Sequence, residues 1–259
     1  MPTKIFRHAL LMIYNNLGQA LRLSIGPYLL LLLGTTLLVL LFGGLFSASA
    51  NGAFQSGMTE AEMELMAPGA MTFGSIFIFL PIMLLGLFVG SWVAVSWHRF
   101  ILLEETTGFI PPISGRPIWP YLGRNIVIWL IITLIALPLF FIASLFAVIP
   151  ILFPIAMSIA GIAVVGLWFA LGMSLPSIAI GKDMTLGDTF AASRPHFKTI
   201  FLVALILIVF NFVVGLVVSI IPIIGGLLSL AAQWLFIMLA VSVLTTLHGH
   251  LIENRPLMD

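Results

Sequence analysis

Six stretches of the chain, at about 24–46, 74–96, 126–149, 155–178, 200–220 and 225–247, contain no Asp, Glu, Lys or Arg. An apolar run of roughly 20 residues is what a helix needs to cross the hydrocarbon of a bilayer. A strand that spans a membrane shows alternating apolar and polar residues, and these runs do not, so the spans are helices. Composition agrees: only 7% of the 259 residues are charged, against roughly 25% in soluble domains. A water-soluble fold would have almost nothing polar to put on its surface. The expected fold is therefore an all-α membrane protein forming one integral membrane domain over residues 1–259. Its six transmembrane helices are arranged as three tandem hairpins, with short cytoplasmic amphipathic helices beside them.

The charges between the spans orient the chain. With six spans, both termini and two connecting loops share one face. That face receives all ten basic residues, Lys4, Arg7, Arg22, Arg99, Arg116, Arg124, Lys182, Arg194, Lys198 and Arg255. The other face receives a loop from about Ser47 to Phe73 with Glu60, Glu62 and Glu64, and two tight turns at Ile149-Pro150 and Ile221-Pro222. Basic residues stay on the cytoplasmic side, so both termini are expected in the cytoplasm. The second span leaves the bilayer through Trp92-Val-Ala-Val-Ser-Trp97-His98-Arg99, with the two tryptophans expected at the headgroups. Gly161, Gly166, Gly172 and Pro176 weaken the fourth span as a helix.

Two segments outside the spans read as interfacial helices. In residues 4–22, Ile5, Ala9, Ile13, Leu17 and Leu21 recur every four positions with Lys4, Arg7 and Arg22 mostly elsewhere, which describes a helix lying in the interface plane. A signal peptide is the rival reading; against it stand the long basic region and the lack of a small-residue cleavage pattern. Between the fourth and fifth spans, Thr185 followed by Asp188 resembles a capping box, Leu186, Phe190 and Phe197 supply apolar anchors, and Pro195 ends the turn. The chain also repeats itself weakly. The second and sixth spans end alike, in His98-Arg-Phe-Ile-Leu-Leu-Glu104-Glu105 and His248-Gly-His-Leu-Ile-Glu253-Asn254.

Trp97-His98-Arg99, Gly181-Lys182 with the segment from Leu186 to Arg194, and the Ile-Pro turns carry a family resemblance. The chain resembles a loose group of bacterial six-helix inner-membrane proteins, largely uncharacterised, related to the membrane domain fused to some glycerophosphodiester phosphodiesterases. The 259 residues hold no such catalytic domain. What the resemblance implies is a fold and an inner-membrane location, without a chemistry.

The candidate functional residues are few. Charge inside a span marks most proton and ion pathways, and none is present, which argues against carboxylate-coupled transport and voltage sensing. Asn211 and Gln233 are the strongest polar residues within spans; each lies 11 positions from Pro222 (222 − 211 and 233 − 222). At equal rise per residue they share a depth, which points to a hydrogen-bonded pair across the hairpin or to a polar substrate contact. Gly86, Gly90 and Ala94, four apart, form a small-residue face for packing within the bundle or for a dimer. His98, Arg99, Glu104, Glu105, Asp188 and Arg194 are the candidate headgroup or cleft residues on the cytoplasmic side. For His98 and Arg99 the expectation is headgroup anchoring, or a salt bridge from Arg99 to Glu104 or Asp188. No metal-ligand spacing, phosphate loop or nucleophile constellation occurs, and the chain has no cysteine. No catalytic residue, metal, cofactor or nucleic acid is expected. Membrane lipids are the expected partners, with a membrane-protein partner or a homo-oligomer as further candidates. The functional expectation is a non-enzymatic scaffold, assembly factor or accessory subunit of a membrane complex. Its alternative is a carrier or binder of a neutral or lipid-like molecule within the bundle.

Overall fold

The structure is a computed structural model. It describes residues 1–42, 79–221 and 224–257 with their side chains, and 43–55 and 60–78 as helical backbone. The described chain is helical: α1 (Pro2–Asn15), α2 (Leu17–Gln55), α3 (Glu60–Leu103), α4 (Ile118–Ser144), α5 (Leu152–Gly172), α6 (Ser174–Ala179), α7 (Leu186–Ser193), α8 (Phe197–Ser219) and α9 (Gly225–Leu251). Short 3-10 turns follow α4 at Leu145–Val148 and α7 at Arg194–His196. Six stretches are long and apolar enough to cross a membrane: Leu17–Phe42, Phe79–Leu103, Ile118–Val148, Leu152–Ala179, Leu186–Ser219 and Gly225–Leu251. Each coincides with one predicted span.

Three hairpins run in the same direction: α2 with α3, α4 with α5 and α6, and α8 with α9. The ends of the returning helices α3, α6 and α9 pack against one another and form the core. Trp97, Val93, Phe169, Met173, Leu175, Leu244 and Leu247 are all buried there. The outgoing helices are covered mostly on one side. Each hairpin is preceded by a segment docked on a different hairpin. Residues 104–117, ahead of α4, lie on the first hairpin: Gln19 Nε2 donates to the Thr107 carbonyl (2.9 Å) and Trp92 Nε1 to that of Pro111 (3.1 Å). A Cβ at Gly26 would stand 2.1 Å from the Phe109 carbonyl oxygen, so only glycine admits this crossing. α7, ahead of α8, packs on α5 of the second hairpin. α1, ahead of α2, packs on α8 and α9 of the third, with Phe6 edge-on to Phe210 at 5.4 Å. The three dockings close a cycle.

This packing corrects several expectations. The interfacial helix predicted over 4–22 stops at Asn15, because Asn16 leaves helical geometry (φ −122°, ψ 27°) and its amide donates to the Met12 carbonyl at 2.9 Å. A side chain that takes a helix carbonyl competes with the next turn. Ile5, Ala9 and Ile13 are buried against α8 and α9 instead of facing lipid, while Leu17 and Leu21 belong to α2 and are exposed. Trp92 and Trp97 sit in the core rather than at the headgroups. The loop predicted from Ser47 to Phe73 is helical wherever it is described, since α2 runs to Gln55 and α3 starts at Glu60; residues 56–59 lie outside the described positions. Glu60-Ala-Glu-Met-Glu-Leu-Met-Ala67 is made of strong helix formers. At 1.5 Å per residue the 39-residue α2 is about 58 Å long, well beyond a hydrocarbon core of roughly 30 Å. In the fourth span, Gly161 and Gly166 do not interrupt α5. The break comes at Met173, next to the carbonyl of Gly172 that the Pro176 ring would meet four residues on.

Candidate functional site

His98, near the end of α3, is fully buried between α4 and α9, not presented to headgroups. Its Nδ1 is 2.8 Å from Thr245 Oγ1 and its Nε2 is 3.1 Å from the Tyr121 hydroxyl. The single Thr245 proton is given to the Val241 carbonyl at 2.9 Å. Nδ1 must therefore be the donor to Thr245, and Nε2 the acceptor from Tyr121. The imidazole is neutral, fixed in one tautomer and satisfied on both sides. Its role is to lock three helices together.

Arg99 points the other way. Its guanidinium donates through Nε to Glu105 Oε2 at 3.0 Å, through Nη2 to Glu105 Oε1, and through Nη1 to the Ala179 carbonyl at 2.9 Å. Arg116 binds the same carboxylate. The expected partner of Arg99 was Glu104 or Asp188, and it is neither. Glu104 ends α3 in the left-handed conformation (φ 58°), which turns its own side chain to solvent and brings Glu105 back under Arg99. The Arg99 hydrogen bond holds the Glu105 carboxyl below its ordinary range, reinforced by the Arg116 charge against the opposing effect of burial. Asp188 stays with α7, where its backbone N–H donates to Thr185 Oγ1 (3.1 Å) and its carboxylate accepts from that hydroxyl (2.6 Å). The cap is thus formed as its sequence indicated. Asp188 and Arg194 are exposed on α7 and α8's approach and do not join the Arg99 cluster.

A second cluster, which the sequence did not single out, lies at the end of α9. Glu253 accepts from Lys182 Nζ (2.6 Å) and Arg255 Nε (2.8 Å), and Arg255 Nη2 donates to the Leu102 carbonyl at 3.2 Å. Burial works against the Glu253 anion, but the Lys182 hydrogen bond and the Arg255 charge outweigh it and the carboxyl sits below its usual range. The clue was the tail shared by the two span ends, with Glu253 and Asn254 echoing the Glu104-Glu105 pair. Among the described residues, no three His, Asp or Glu side chains form a metal-ligand set.

Asn211 and Gln233 do not pair. Both line a cavity of about 420 Å³ between α8 and α9, together with Gly215, Ser219, Gly225 and Ser229. No hydrogen bond joins either amide to a described residue. Small residues, Gly215, Ser219, Gly225 and Ser229, line the same gap. Each lies eight residues from the far end of its helix (219 − 211 and 233 − 225), about 12 Å in, within a few Å of the middle of a bilayer core of about 30 Å. No charged side chain lines this groove. Gly86 and Gly90 face open space, with nothing within 4 Å of a Cβ built on either, and only Ala94 of that stripe is buried. Among the described residues the stripe makes no close helix contact at Gly86 or Gly90.

Six membrane-length helices around one polar-locked core define a multi-pass membrane protein. No protein-family model, no curated protein and no solved structure matches the chain.

Proposed function

We propose that this is a non-enzymatic multi-pass protein of the bacterial inner membrane, with both termini in the cytoplasm. Its groove between α8 and α9 holds a neutral or lipid-like molecule. The observation that carries the reading is the position of Asn211 and Gln233: two carboxamides near mid-membrane, lining one uncharged cavity, with no hydrogen bond to a described residue. A polar group facing hydrocarbon without a hydrogen bond costs several kcal/mol, so a ligand with a hydroxyl, ester or amide is favoured there over plain acyl chains. The test is purification in mild detergent with mass spectrometry of the bound small molecules. A defined neutral species should copurify with the native chain and be lost from an Asn211→Leu/Gln233→Leu double variant whose melting temperature is maintained. Retention of the same species by that variant overturns the reading.

A second reading, a scaffold or accessory subunit, draws on α2. Leu29, Leu33, Leu37 and Leu40 form an exposed stripe along a helix that the rest of the chain scarcely covers. Photo-crosslinking from position 33 in membranes separates the two readings, since a subunit gives one discrete protein adduct and a lipid-facing helix gives only lipid.

A further inference from the structure

His248 is 1% exposed, and its Nδ1 lies 3.0 Å from the Met173 carbonyl. A carbonyl only accepts, so Nδ1 carries a proton, and in the neutral ring Nε2 carries a lone pair. Among the described residues Nε2 has no hydrogen-bond partner. It faces the Glu253 carboxylate at 3.8 Å, a second acceptor. Ser91 Oγ, Trp97 Nε1 and Ser242 Oγ are also buried without partners, but of these four atoms only His248 Nε2 belongs to a residue lining a described cavity. The cavity measures about 490 Å³ and is bounded by Ser177, Lys182, His248, Ile252, Glu253 and Arg255.

We infer that this cavity binds a phosphate monoester group bearing one P–OH, on a lipid headgroup or on a soluble molecule. Two requirements converge on that chemistry. The first is a donor: an atom seated between His248 Nε2 and the cavity mouth must bring a hydrogen, because a buried acceptor left unmatched is destabilising by about 1–3 kcal/mol. The second is negative charge: with His248 neutral, Lys182 and Arg255 against Glu253 leave the cavity at +1 (1 + 1 − 1). An anion without a hydrogen, such as sulfate or a phosphodiester, meets only the second requirement. A neutral alcohol meets only the first. A phosphate monoester, whose second pKa is about 6, meets both, with P–OH donating to Nε2 and its remaining oxygens accepting from the cations. The donors are in reserve. Lys182 spends one N–H on Glu253, and Arg255 spends Nε on Glu253 and Nη2 on the Leu102 carbonyl, which leaves two Lys182 N–H groups and Arg255 Nη1 without a partner among the described residues. Their side chains are 64% and 45% exposed, so both can move onto a ligand while Glu253 stays bridged between them.

The experiment uses the full-length protein at pH 6.5, reading thermal unfolding in detergent with inorganic phosphate or sulfate, and in nanodiscs containing phosphatidic acid or phosphatidylglycerol. The native chain should bind the P–OH-bearing member of at least one pair, inorganic phosphate or phosphatidic acid, about tenfold more tightly than its partner. Discrimination confined to the lipid pair assigns the site to a headgroup; discrimination between the inorganic ions assigns it to a soluble phosphate. His248→Phe removes the acceptor and should abolish the preference. Lys182→Gln alters a largely exposed side chain, keeps the chain folded, and should weaken monoester binding about tenfold without removing the preference. Equal binding within both pairs by the native chain, or unchanged affinity in Lys182→Gln, overturns the inference.

Discussion

The ends of α3 and α9 use the same backbone device to opposite effect. Each carries a buried histidine, His98 or His248, and six residues later a left-handed residue, Glu104 (φ 58°) or Asn254 (φ 55°). A charged side chain follows immediately, Glu105 or Arg255, and reaches back across the helix ends. The end of α6 repeats the turn with Gly181 (φ 78°) and Lys182. At α3 the device is sealed: both imidazole nitrogens are bonded and Glu105 is held between two arginines. At α9 the signs are exchanged, one nitrogen of His248 is idle, and a cavity opens beside it. One copy of the motif has been committed to holding helices together, and the other keeps unused bonding capacity.

The largest effect should separate the two histidines. Both truncations open space at buried positions, but His98→Ala loses two hydrogen bonds and strands the Tyr121 hydroxyl, costing about 4 kcal/mol, whereas His248→Ala loses one and costs about 2 kcal/mol. Denaturant titration in detergent reads the difference, and equal losses would break the asymmetry. Next come the arginines. Arg99→Ala removes two bonds to Glu105 and one to the Ala179 carbonyl, about 2 kcal/mol in all; Arg255→Ala, on a more exposed side chain, should lose about 1 kcal/mol.

Acid should produce a smaller change at both ends. Glu105 and Glu253 titrate below their unfolded value of 4.5, so their contribution is full above pH 4.5 and disappears as pH falls through the folded values. His8 on α1 is also depressed from 6.5, by burial and by the nearby His250. For a base this means that the neutral form is the folded one, and stability declines as pH falls below 6.5. Hydrogen exchange should therefore show α1 loosening as pH falls below 6.5 while the α3 end remains protected until below 4.5. The smallest effect concerns the turns. Glu104→Gly should stabilise the protein by about 0.5 kcal/mol, because a left-handed non-glycine residue is strained. Asn254→Gly should leave the melting temperature within error, since asparagine tolerates that geometry.

The apolar runs, their number and the Thr185 cap were all legible in the sequence, because each depends on local composition or spacing. The side on which a residue finds its partner was not. Glu104 and Glu105 are indistinguishable as neighbours of Arg99 until a left-handed turn exchanges their directions. Asn211 and Gln233 were placed at one depth by counting, but counting does not say whether two amides at that depth reach each other or line a cavity instead. Trp92 and Trp97 fit a headgroup belt by type, yet the convergence of three returning helices encloses them. The every-fourth apolar pattern of α1 gave its buried face correctly through Ile13, while what covers that face is supplied by a hairpin two hundred residues away.

That last docking dictates an order of synthesis. Phe6 leaves the ribosome before Phe210, 204 residues downstream (210 − 6), so α1 waits for α8 and α9 to be inserted. Contacts of such long separation form slowly. During that interval Ile5, Ala9 and Ile13 have no seat, and a chain interrupted before Gly225 never provides all of it. α1 is thus seated only when the third hairpin is in place, and its burial depends on the whole bundle having been assembled.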